Sequence, residues 1–351
     1  MTKRSPLTYI GVGGVALALA LSACAPKAGT DDLSKVKYDM KSATAQPEVS
    51  FATPFAIPSN SSYTIETGNG EPINEGDNLL IEATTFNGAD GKLAGSTHAS
   101  APFSVGVNDQ LKQAAPEVYE KLKELKVGGS FSYSTNILQQ RTASGTAAAA
   151  TASPGTPTNV EVYTVKAKLP KYASGTAQPA DPALPSFTLD ESTGKADLKV
   201  PDTKQEVSEV STATLIEGTG PEVKATDTAY VRYIGAQYSD GKVFQSNYNS
   251  VPVGLDLYQG SIRGMAEGLT GKKVGSRVEI VIPADKAYGN DTGGSRPSGP
   301  LVFVVDILGA EENPQTLQRA QAASAAAASA SASGASTDAA TATPAPSATA
   351  Q

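Results

Sequence analysis

The sequence predicts an α+β protein in which one fold is present twice. The segment 65–107 repeats without a gap at 215–257, at an offset of 150 residues. Apolar and polar residues alternate through most of both copies, which is typical of half-buried strands in an antiparallel sheet. One short segment in each copy has helical spacing instead. A short helix packed on an antiparallel sheet is an α+β domain, so we predict two such domains.

The repeat sets the domain boundaries. Identical triplets stand at equivalent places: Asp90-Gly91-Lys92 with Asp240-Gly241-Lys242, and Lys126-Val127-Gly128 with Lys273-Val274-Gly275. A repeat of this length indicates two copies of one structural unit, which we place at 46–170 and 184–311. The helix of the first copy follows Pro116, and the helix of the second begins near Ile262.

The chain begins with a segment typical of an export signal. Lys3 and Arg4 precede an apolar run over 9–21, which is shorter than the ~20 residues that span a bilayer. The run ends in Leu21-Ser22-Ala23-Cys24, which resembles the bacterial lipobox, where the cysteine is acylated and the signal removed. We therefore predict a signal peptide at 1–23 and an extracytoplasmic protein whose lipid on Cys24 anchors it to the cell membrane. The alternative is an ordinary secretory leader with an incidental cysteine.

The segments outside the two copies have compositions typical of connections. We predict a polar tether at 24–45, a low-complexity loop at 141–159 within the first copy, and a linker at 171–183. The segment 312–351 consists mostly of Ala, Ser, Thr and Pro. Because it has almost no large apolar residue to bury, we predict a disordered tail.

Charge and residue counts exclude several classes of function. A net charge of −7 argues against nucleic acid as a partner, since nucleic acid selects basic surfaces. With one cysteine and one histidine, the chain forms no internal disulfide and no multi-histidine metal site. We expect no metal and no cofactor, and we expect His98 to be an exposed loop residue.

Seven dispersed motifs of the second copy stand in a characteristic order and spacing. They are Val231-Arg232-Tyr233-Ile234-Gly235, Asp240-Gly241-Lys242-Val243-Phe244, Ile262-Arg263-Gly264-Met265, Val274-Gly275, Ile282-Pro283, Lys286-Ala287-Tyr288-Gly289 and Leu301-Val302-Phe303-Val304-Val305-Asp306-Ile307. This pattern resembles the FKBP family of peptidyl-prolyl cis-trans isomerases. The resemblance implies an antiparallel half-barrel sheet wrapped on a short helix, an aromatic pocket between them, and isomerase activity on proline-containing unfolded or exported proteins.

The resemblance also implies which residues form the active site. The residues that would line the pocket are Tyr233, Phe244, Ile262, Met265, Tyr288 and Phe303, with Gln245 and Val253 at its rim. Met265 would be the floor, while the backbone N–H of Ile262 and the hydroxyl of Tyr288 would bind peptide carbonyls. An apolar pocket suits this reaction because the twisted X–Pro amide is less polar than the planar one. The alternative is that these side chains are ordinary core.

The second copy departs from the family pattern at three places. Gln245 replaces the acidic residue that commonly follows the pocket phenylalanine, and Met265 replaces the usual tryptophan floor. Ser295-Arg296-Pro297 replaces an apolar loop before the last strand. These differences imply reduced or altered selectivity, and weaker binding of the macrolide inhibitors that the family takes.

The first copy lacks two of the aromatic residues. Ala83 stands where the second copy has Tyr233, and Ala94 stands where it has Phe244. We therefore expect activity in the second copy alone. A non-catalytic chaperone or protein-binding lipoprotein on the same scaffold is the alternative. A solute-binding lipoprotein would need large α/β lobes, which the period-two pattern argues against.

Overall fold

The computed structural model describes residues 30–41, 45–141, 147–151, 153–179, 181–290, 293–294 and 296–334. Cys24 and the predicted signal peptide lie outside these residues, as does the end of the predicted tail from 335 onward. Within the described part of the chain, no helix has the length and apolar character to cross a membrane.

Short strands dominate the described residues. The elements of the first half are β1 (Lys37–Asp39), β2 (Glu48–Ser50), β3 (Ser61–Glu66), β4 (Asn78–Phe86), β5 (Leu93–Ser96), β6 (Phe103–Gly106), α1 (Asp109–Ala114), α2 (Pro116–Glu124), β7 (Ser130–Ser134), β8 (Ile137–Arg141), β9 (Ala147–Thr151) and β10 (Val160–Leu169). The elements of the second half are β11 (Thr176–Ala177), β12 (Ser186–Asp190), β13 (Lys195–Lys199), β14 (Ser211–Glu217), β15 (Asp227–Gln237), β16 (Val243–Ser246), β17 (Val253–Asp256), α3 (Arg263–Leu269), β18 (Arg277–Ile282), β19 (Leu301–Glu312) and α4 (Pro314–Gly334). The prediction of a sheet-rich α+β chain with few helices is confirmed.

Two antiparallel sheets share one strand order. The first sheet runs β3-β7-β10-β4-β5, with β6 also paired to β4. The second sheet runs β14-β18-β19-β15-β16, with β17 also paired to β15, and β11 extends it beyond β14. Each strand of the first sheet therefore has an equivalent in the second, in the same sequence order.

A helix packs on one face of each sheet, which we call the helix face. In the first sheet, Tyr119 and Leu122 of α2 are buried against Phe131. In the second sheet, α3 approaches β18 through two glycines. A Cβ on Gly268 would stand 2.6 Å from Cγ2 of Ile280, and a Cβ on Gly264 would overlap Ile282.

The opposite, outer face of each sheet is also covered. Leu33 and Phe55 pack on the outer face of the first sheet, beside the β1–β2 hairpin. Tyr172, Phe187 and Leu198 pack on the second, where β12 and β13 form a second hairpin. Leu33 lies in the range 24–45 that we predicted as a tether, and Tyr172 lies in the range 171–183 that we predicted as a linker, so each range contributes a side chain to the cover. Apolar residues occupy both faces of the central strands, so both faces need cover.

The two sheets meet at an interface of buried apolar side chains, namely Leu80, Leu169, Tyr230 and Leu308. The hydroxyl of Tyr230 donates a 2.6 Å hydrogen bond to the carbonyl of Pro102. At the edge of this interface, Lys166 Nζ lies 2.8 Å from Glu311 and 3.4 Å from Glu82. The two halves of the chain are thus joined by packing as well as by the backbone.

His98 is not the exposed loop residue that we predicted. Its Nε2 lies 2.7 Å from Oε2 of Glu82, and its side chain is only 12% exposed. A short 3₁₀ turn over Thr97–Ala99, capped by Ser96, directs the ring toward β4. The carboxylate of Glu82 is almost fully buried, and its Oε2 faces the imidazole while its Oε1 accepts a 3.4 Å bond from Lys166.

Two low-complexity segments are more ordered than their composition predicted. Within 141–159, strand β9 pairs with β8 in a separate hairpin. Within 312–351, residues 314–334 form α4, because alanine has the highest helix propensity even where it provides no core. Asn313 caps α4 by accepting a 3.2 Å bond from the Thr316 N–H, and Thr316 in turn donates to Asp256.

Glu279 is a buried carboxyl group on the outer face of the second sheet. Its side chain is 1% exposed, and neither carboxyl oxygen has a hydrogen-bond partner among the described residues. At the equivalent place in the first sheet, Ser132 is hydrogen-bonded to the hydroxyl of Tyr38 at 2.6 Å. Burial, with a smaller contribution from the nearby charge of Asp181, raises the pKa of Glu279 to about 7.

We expect Gly268→Ala to destabilise the protein by about 1–3 kcal/mol, because the new methyl group overlaps Ile280. The better helix propensity of alanine, worth about 1 kcal/mol, would act in the opposite direction. Thermal unfolding measures the difference. The control is Gly95→Ala on β5, where an added Cβ meets no atom within 4 Å. Equal unfolding temperatures for the two variants would contradict the close packing of α3.

We expect Glu279→Gln to stabilise the protein at alkaline pH and much less at acidic pH. Between the ordinary pKa of 4.5 and the folded value of about 7, the folded carboxyl keeps a proton that the unfolded one has lost. Wild-type stability therefore falls as pH rises through this window and stays level above it. Glutamine does not ionise, so Glu279→Gln should not lose stability in this window. The free energy of unfolding of the variant, relative to wild type, should therefore increase by up to about 3 kcal/mol between pH 5 and pH 8.

Thermal unfolding across this pH range tests the expectation for Glu279. The exposed Glu120→Gln is the control, and its difference from wild type should not change with pH in this way. If both variants followed the wild-type pH profile, Glu279 would not be buried and protonated in the folded protein.

Candidate active site

A pocket of about 1180 Å³ opens between the second sheet and the start of α3. Seven of the eight residues predicted for the site line it, namely Tyr233, Phe244, Gln245, Ile262, Met265, Tyr288 and Phe303. They come from β15, β16, β19 and α3, from the loop that precedes α3, and from the loop that follows β18. The fold therefore brings together side chains that are up to 70 positions apart, from 233 to 303.

Three aromatic rings form one side of this pocket. Phe303 lies edge-to-face with Tyr233 at 6.1 Å and with Phe244 at 5.7 Å between ring centroids. Gly235 makes this possible, because a Cβ there would stand 2.6 Å from the ring of Phe303 and 2.8 Å from that of Phe244. The edge-to-face geometry is favourable for aromatic pairs, so the wall is fixed before any ligand arrives.

The start of α3 supplies the floor. Ile262 is the N-cap residue, and its carbonyl accepts bonds from the N–H groups of Met265 and Ala266 at 3.0 and 3.3 Å. Met265 is buried, and its flexible thioether can adapt to different ligands. Since Gly264 lies directly against Ile282, the helix cannot move away from the sheet without losing this contact.

Tyr288 stands on the loop that borders the opposite side. A short 3₁₀ turn over Ala284–Lys286 precedes it, and Lys286 forms a 2.8 Å ion pair with Glu267 of α3. The guanidinium of Arg296 lies 5.4 Å from the centroid of the Tyr288 ring. Burial raises the pKa of the Tyr233 hydroxyl, with a smaller contribution from the nearby Tyr288, so the Tyr233 hydroxyl is a neutral donor at physiological pH.

The structure differs from the predicted site at one position and adds others. Val253 does not line this pocket but a second groove, next to Pro102 and Phe103 of the first half. Val253 pairs with Val231 at the end of β17 that lies beside the first half, whereas Leu255, two residues further along the same face, lines the pocket. The sequence prediction missed Leu255, although the alternation along β17 indicated that it shares a face with Val253.

The equivalent place in the first sheet has different residues. Ala83 and Ala94 replace two aromatics, as the sequence showed. Glu161 pairs with Thr85 as Phe303 pairs with Gly235, so a carboxylate replaces the third. The hydroxyl of Tyr163 donates a 2.5 Å bond to this carboxylate. The sequence prediction missed Glu161 because the offset of 150 residues between the two copies does not hold in their second halves. Glu161 and Phe303 are therefore not aligned by the repeat, although they occupy equivalent places in the two sheets.

The pocket of the second sheet has the chemistry of a binding site for a small apolar group. Its lining combines aromatic and aliphatic side chains with hydroxyl and amide groups and the cationic side chains of Lys242 and Arg296. Among the described residues, no three metal-ligating side chains cluster anywhere. Such a pocket can exclude water from a proline ring and hold the amide before it in a twisted geometry.

Comparison with known proteins identifies the segment that contains this pocket. The model of the family described as FKBP-type peptidyl-prolyl cis-trans isomerase matches residues 220–308. The FK506-binding protein of Streptomyces anulatus is 39% identical over 97 residues, which are 26% of this chain and 78% of that protein. The probable FK506-binding protein of Corynebacterium glutamicum is 34% identical over 27% of this chain and 82% of its own length.

Among solved structures, the crystal structure of FkpA from Escherichia coli is 32% identical, and the match covers 31% of this chain and 51% of that chain with a TM-score of 0.28. The match to the isomerase family model includes every residue of the second sheet's pocket, and two relatives at least 34% identical are matched over 78% and 82% of their own length. This chain therefore belongs to the FKBP family and is a peptidyl-prolyl cis-trans isomerase.

Proposed function

We propose that this protein is a lipid-anchored, extracytoplasmic prolyl isomerase that acts on proline-containing, partly unfolded exported proteins. The pocket of the second sheet is its active site. The observation that supports this most is that seven predicted site residues line one cavity, inside the segment that matches the isomerase family.

Catalysis of this reaction requires an apolar pocket of suitable shape that excludes water, and it requires no nucleophile. An X–Pro bond rotates over a barrier of about 20 kcal/mol because its amide loses resonance when it twists. In our proposal, the rings of Tyr233, Phe244 and Phe303 enclose the proline while Met265 supports it from below. The N–H of Ile262 and the hydroxyl of Tyr288 hold the flanking carbonyls. Because the twisted amide is less polar, this environment favours the transition state over the planar ground state.

The first half is, in this proposal, a degenerate FKBP-like domain without activity. Its sheet has the strand order of the second sheet, which supports a common fold. Its pocket residues do not support catalysis, because Ala83, Ala94 and the carboxylate of Glu161 stand where the second sheet has three aromatics.

Gln245 should affect the binding of macrolide inhibitors and of peptide substrates to the proposed site differently. It lines the pocket and offers a neutral amide where family members commonly have a carboxylate. Charged acceptors form the stronger hydrogen bonds, so a hydroxyl-bearing macrolide inhibitor should bind more weakly here. A peptide substrate has no such hydroxyl at its X–Pro bond and should be affected less.

The proposed location depends on the N-terminal sequence. The apolar run over 9–21 and the lone thiol of Cys24 stand at the positions that lipid attachment needs. The polar residues between Cys24 and the first buried residue, Leu33, would hold the folded part outside the bilayer.

To test the active site, we expect Phe244→Ala to reduce kcat/KM for a short X–Pro peptide at least tenfold in the full chain, because a pocket wall is lost. Val243→Ala is the matched control: its side chain is exposed on the same strand and does not line the pocket. Glu161→Ala changes the equivalent place of the first sheet and should also leave turnover unchanged. A loss of activity in Glu161→Ala, with Phe244→Ala active, would place the site in the first sheet.

To test the location, we expect Cys24→Ala to release the protein from the membrane fraction, because no other residue can accept the thioether-linked lipid. Fractionation of cells that express wild type or variant, with immunodetection, measures the distribution. Full retention of Cys24→Ala in the membrane fraction would refute the lipid anchor without affecting the proposed active site.

A further inference from the structure

The segment 247–252, between β16 and β17, connects two parts of the pocket. Phe244 and Gln245 line the pocket just before this segment, and Leu255 lines it just after. The segment therefore joins two strands that each carry a pocket residue and that both pair with β15. Two groups of contacts hold it, one from the second sheet and one from the first.

The second sheet holds the beginning of the segment. The buried guanidinium of Arg232 donates through NH1 to the carbonyls of Asn247 at 3.2 Å, Tyr248 at 2.7 Å and Ser250. The side-chain oxygen of Asn247 accepts a 2.6 Å bond from the N–H of Tyr233, and the Asn247 N–H donates to the Tyr233 carbonyl at 3.0 Å. The beginning of the segment is thus bonded to a pocket residue.

The first sheet holds the end of the segment. The hydroxyl of Ser104 on β6 donates to the carbonyl of Pro252. Gly106 lies against Val251, since a Cβ on that glycine would stand 2.7 Å from Cγ2 of the valine. In the other direction, Tyr230 of β15 donates to the carbonyl of Pro102, and Tyr230 precedes Tyr233 by three residues on the same strand.

We propose that the first sheet is a positioning element for the active site of the second, and that Ser104 is its principal positioning residue. This inference rests on the proposed active site and assigns a role to a half of the chain that lacks one. Without the contacts of Ser104 and Gly106, the end of the segment 247–252 is held only by Arg232 and by the pairing of the following strand β17 with β15. The rim formed by Gln245 and Leu255 then becomes mobile, and substrate binding weakens.

The test compares three variants of the full chain with wild type. Ser104→Ala removes the donor to Pro252, while Ser104→Thr keeps a hydroxyl on a residue that strands accept well. Ser130→Ala is the matched control, because its buried hydroxyl bonds to Thr164 at 3.0 Å within the first sheet and does not contact the second. The readouts are kcat and KM for an X–Pro peptide, the unfolding temperature, and hydrogen exchange of the Tyr233 and Asn247 amides.

We expect Ser104→Ala to raise KM about fivefold, the equivalent of one neutral hydrogen bond, with a smaller change in kcat. The Tyr233 and Asn247 amides should exchange faster in this variant. Ser104→Thr should restore both values. Ser130→Ala should lower the unfolding temperature while KM and the exchange of these two amides stay at wild-type values.

Two outcomes would overturn the proposal: wild-type KM and exchange in Ser104→Ala, or an equal rise of KM in Ser130→Ala, which would indicate general destabilisation. Failure of the proposed active site has a different signature, since wild type would then turn over no X–Pro peptide. Exchange at Tyr233 and Asn247 would still decide whether the first sheet positions the segment.

Discussion

The close approach of α3 to β18 is the constraint on which the active site depends. Two glycines one helical turn apart, Gly264 and Gly268, lie directly against the side chains of Ile282 and Ile280. Between them along the chain stands Met265, whose side chain is thereby held at the level of the pocket floor. The helix begins at Arg263, directly after its N-cap residue Ile262, so the same contact also fixes the Ile262 N–H that we assign to substrate binding. In the first half, α2 meets its sheet through the large side chains of Tyr119 and Leu122.

Electrostatic contacts on the outer face of the second sheet secure the cover that we had predicted to be a linker. Asp306 is fully buried, and Arg277 donates to it through two nitrogens at 2.6 and 2.8 Å. The hydroxyl of Tyr248 and the N–H of Ala173 add bonds of 2.9 Å each. A buried carboxylate is tolerated when its lone pairs are satisfied in this way. Ala173 belongs to the connecting segment, so the ionic cluster joins that segment to the sheet.

The sequence was sufficient to predict the sheet-rich fold, because its period-two pattern and its repeat are properties of long, regular segments. It was also sufficient to select seven residues that meet at the pocket, because their spacing matches a known family. The cover of the outer faces was not predicted, because it depends on a few separated apolar residues, such as Leu33 and Phe187, which do not form a periodic pattern. His98 was missed because its partner, Glu82, is distant in the sequence and becomes its neighbour only through the strand-to-turn contact.

Equivalent residues of the two halves face each other where the sheets meet. Leu80 and Tyr230, 150 positions apart, belong to the same buried cluster, while the carbonyls of Pro102 and Pro252 each accept a hydrogen bond from the opposite half. This is the geometry of an isologous dimer whose subunits share one chain. A covalent connection holds such a pair at a high effective concentration, so dilution cannot separate it. One half of such a pseudo-dimer can therefore lose its own ligand site while it retains the surface that contacts the other half. Tyr230, which is buried in this contact, becomes exposed to water only if one half unfolds.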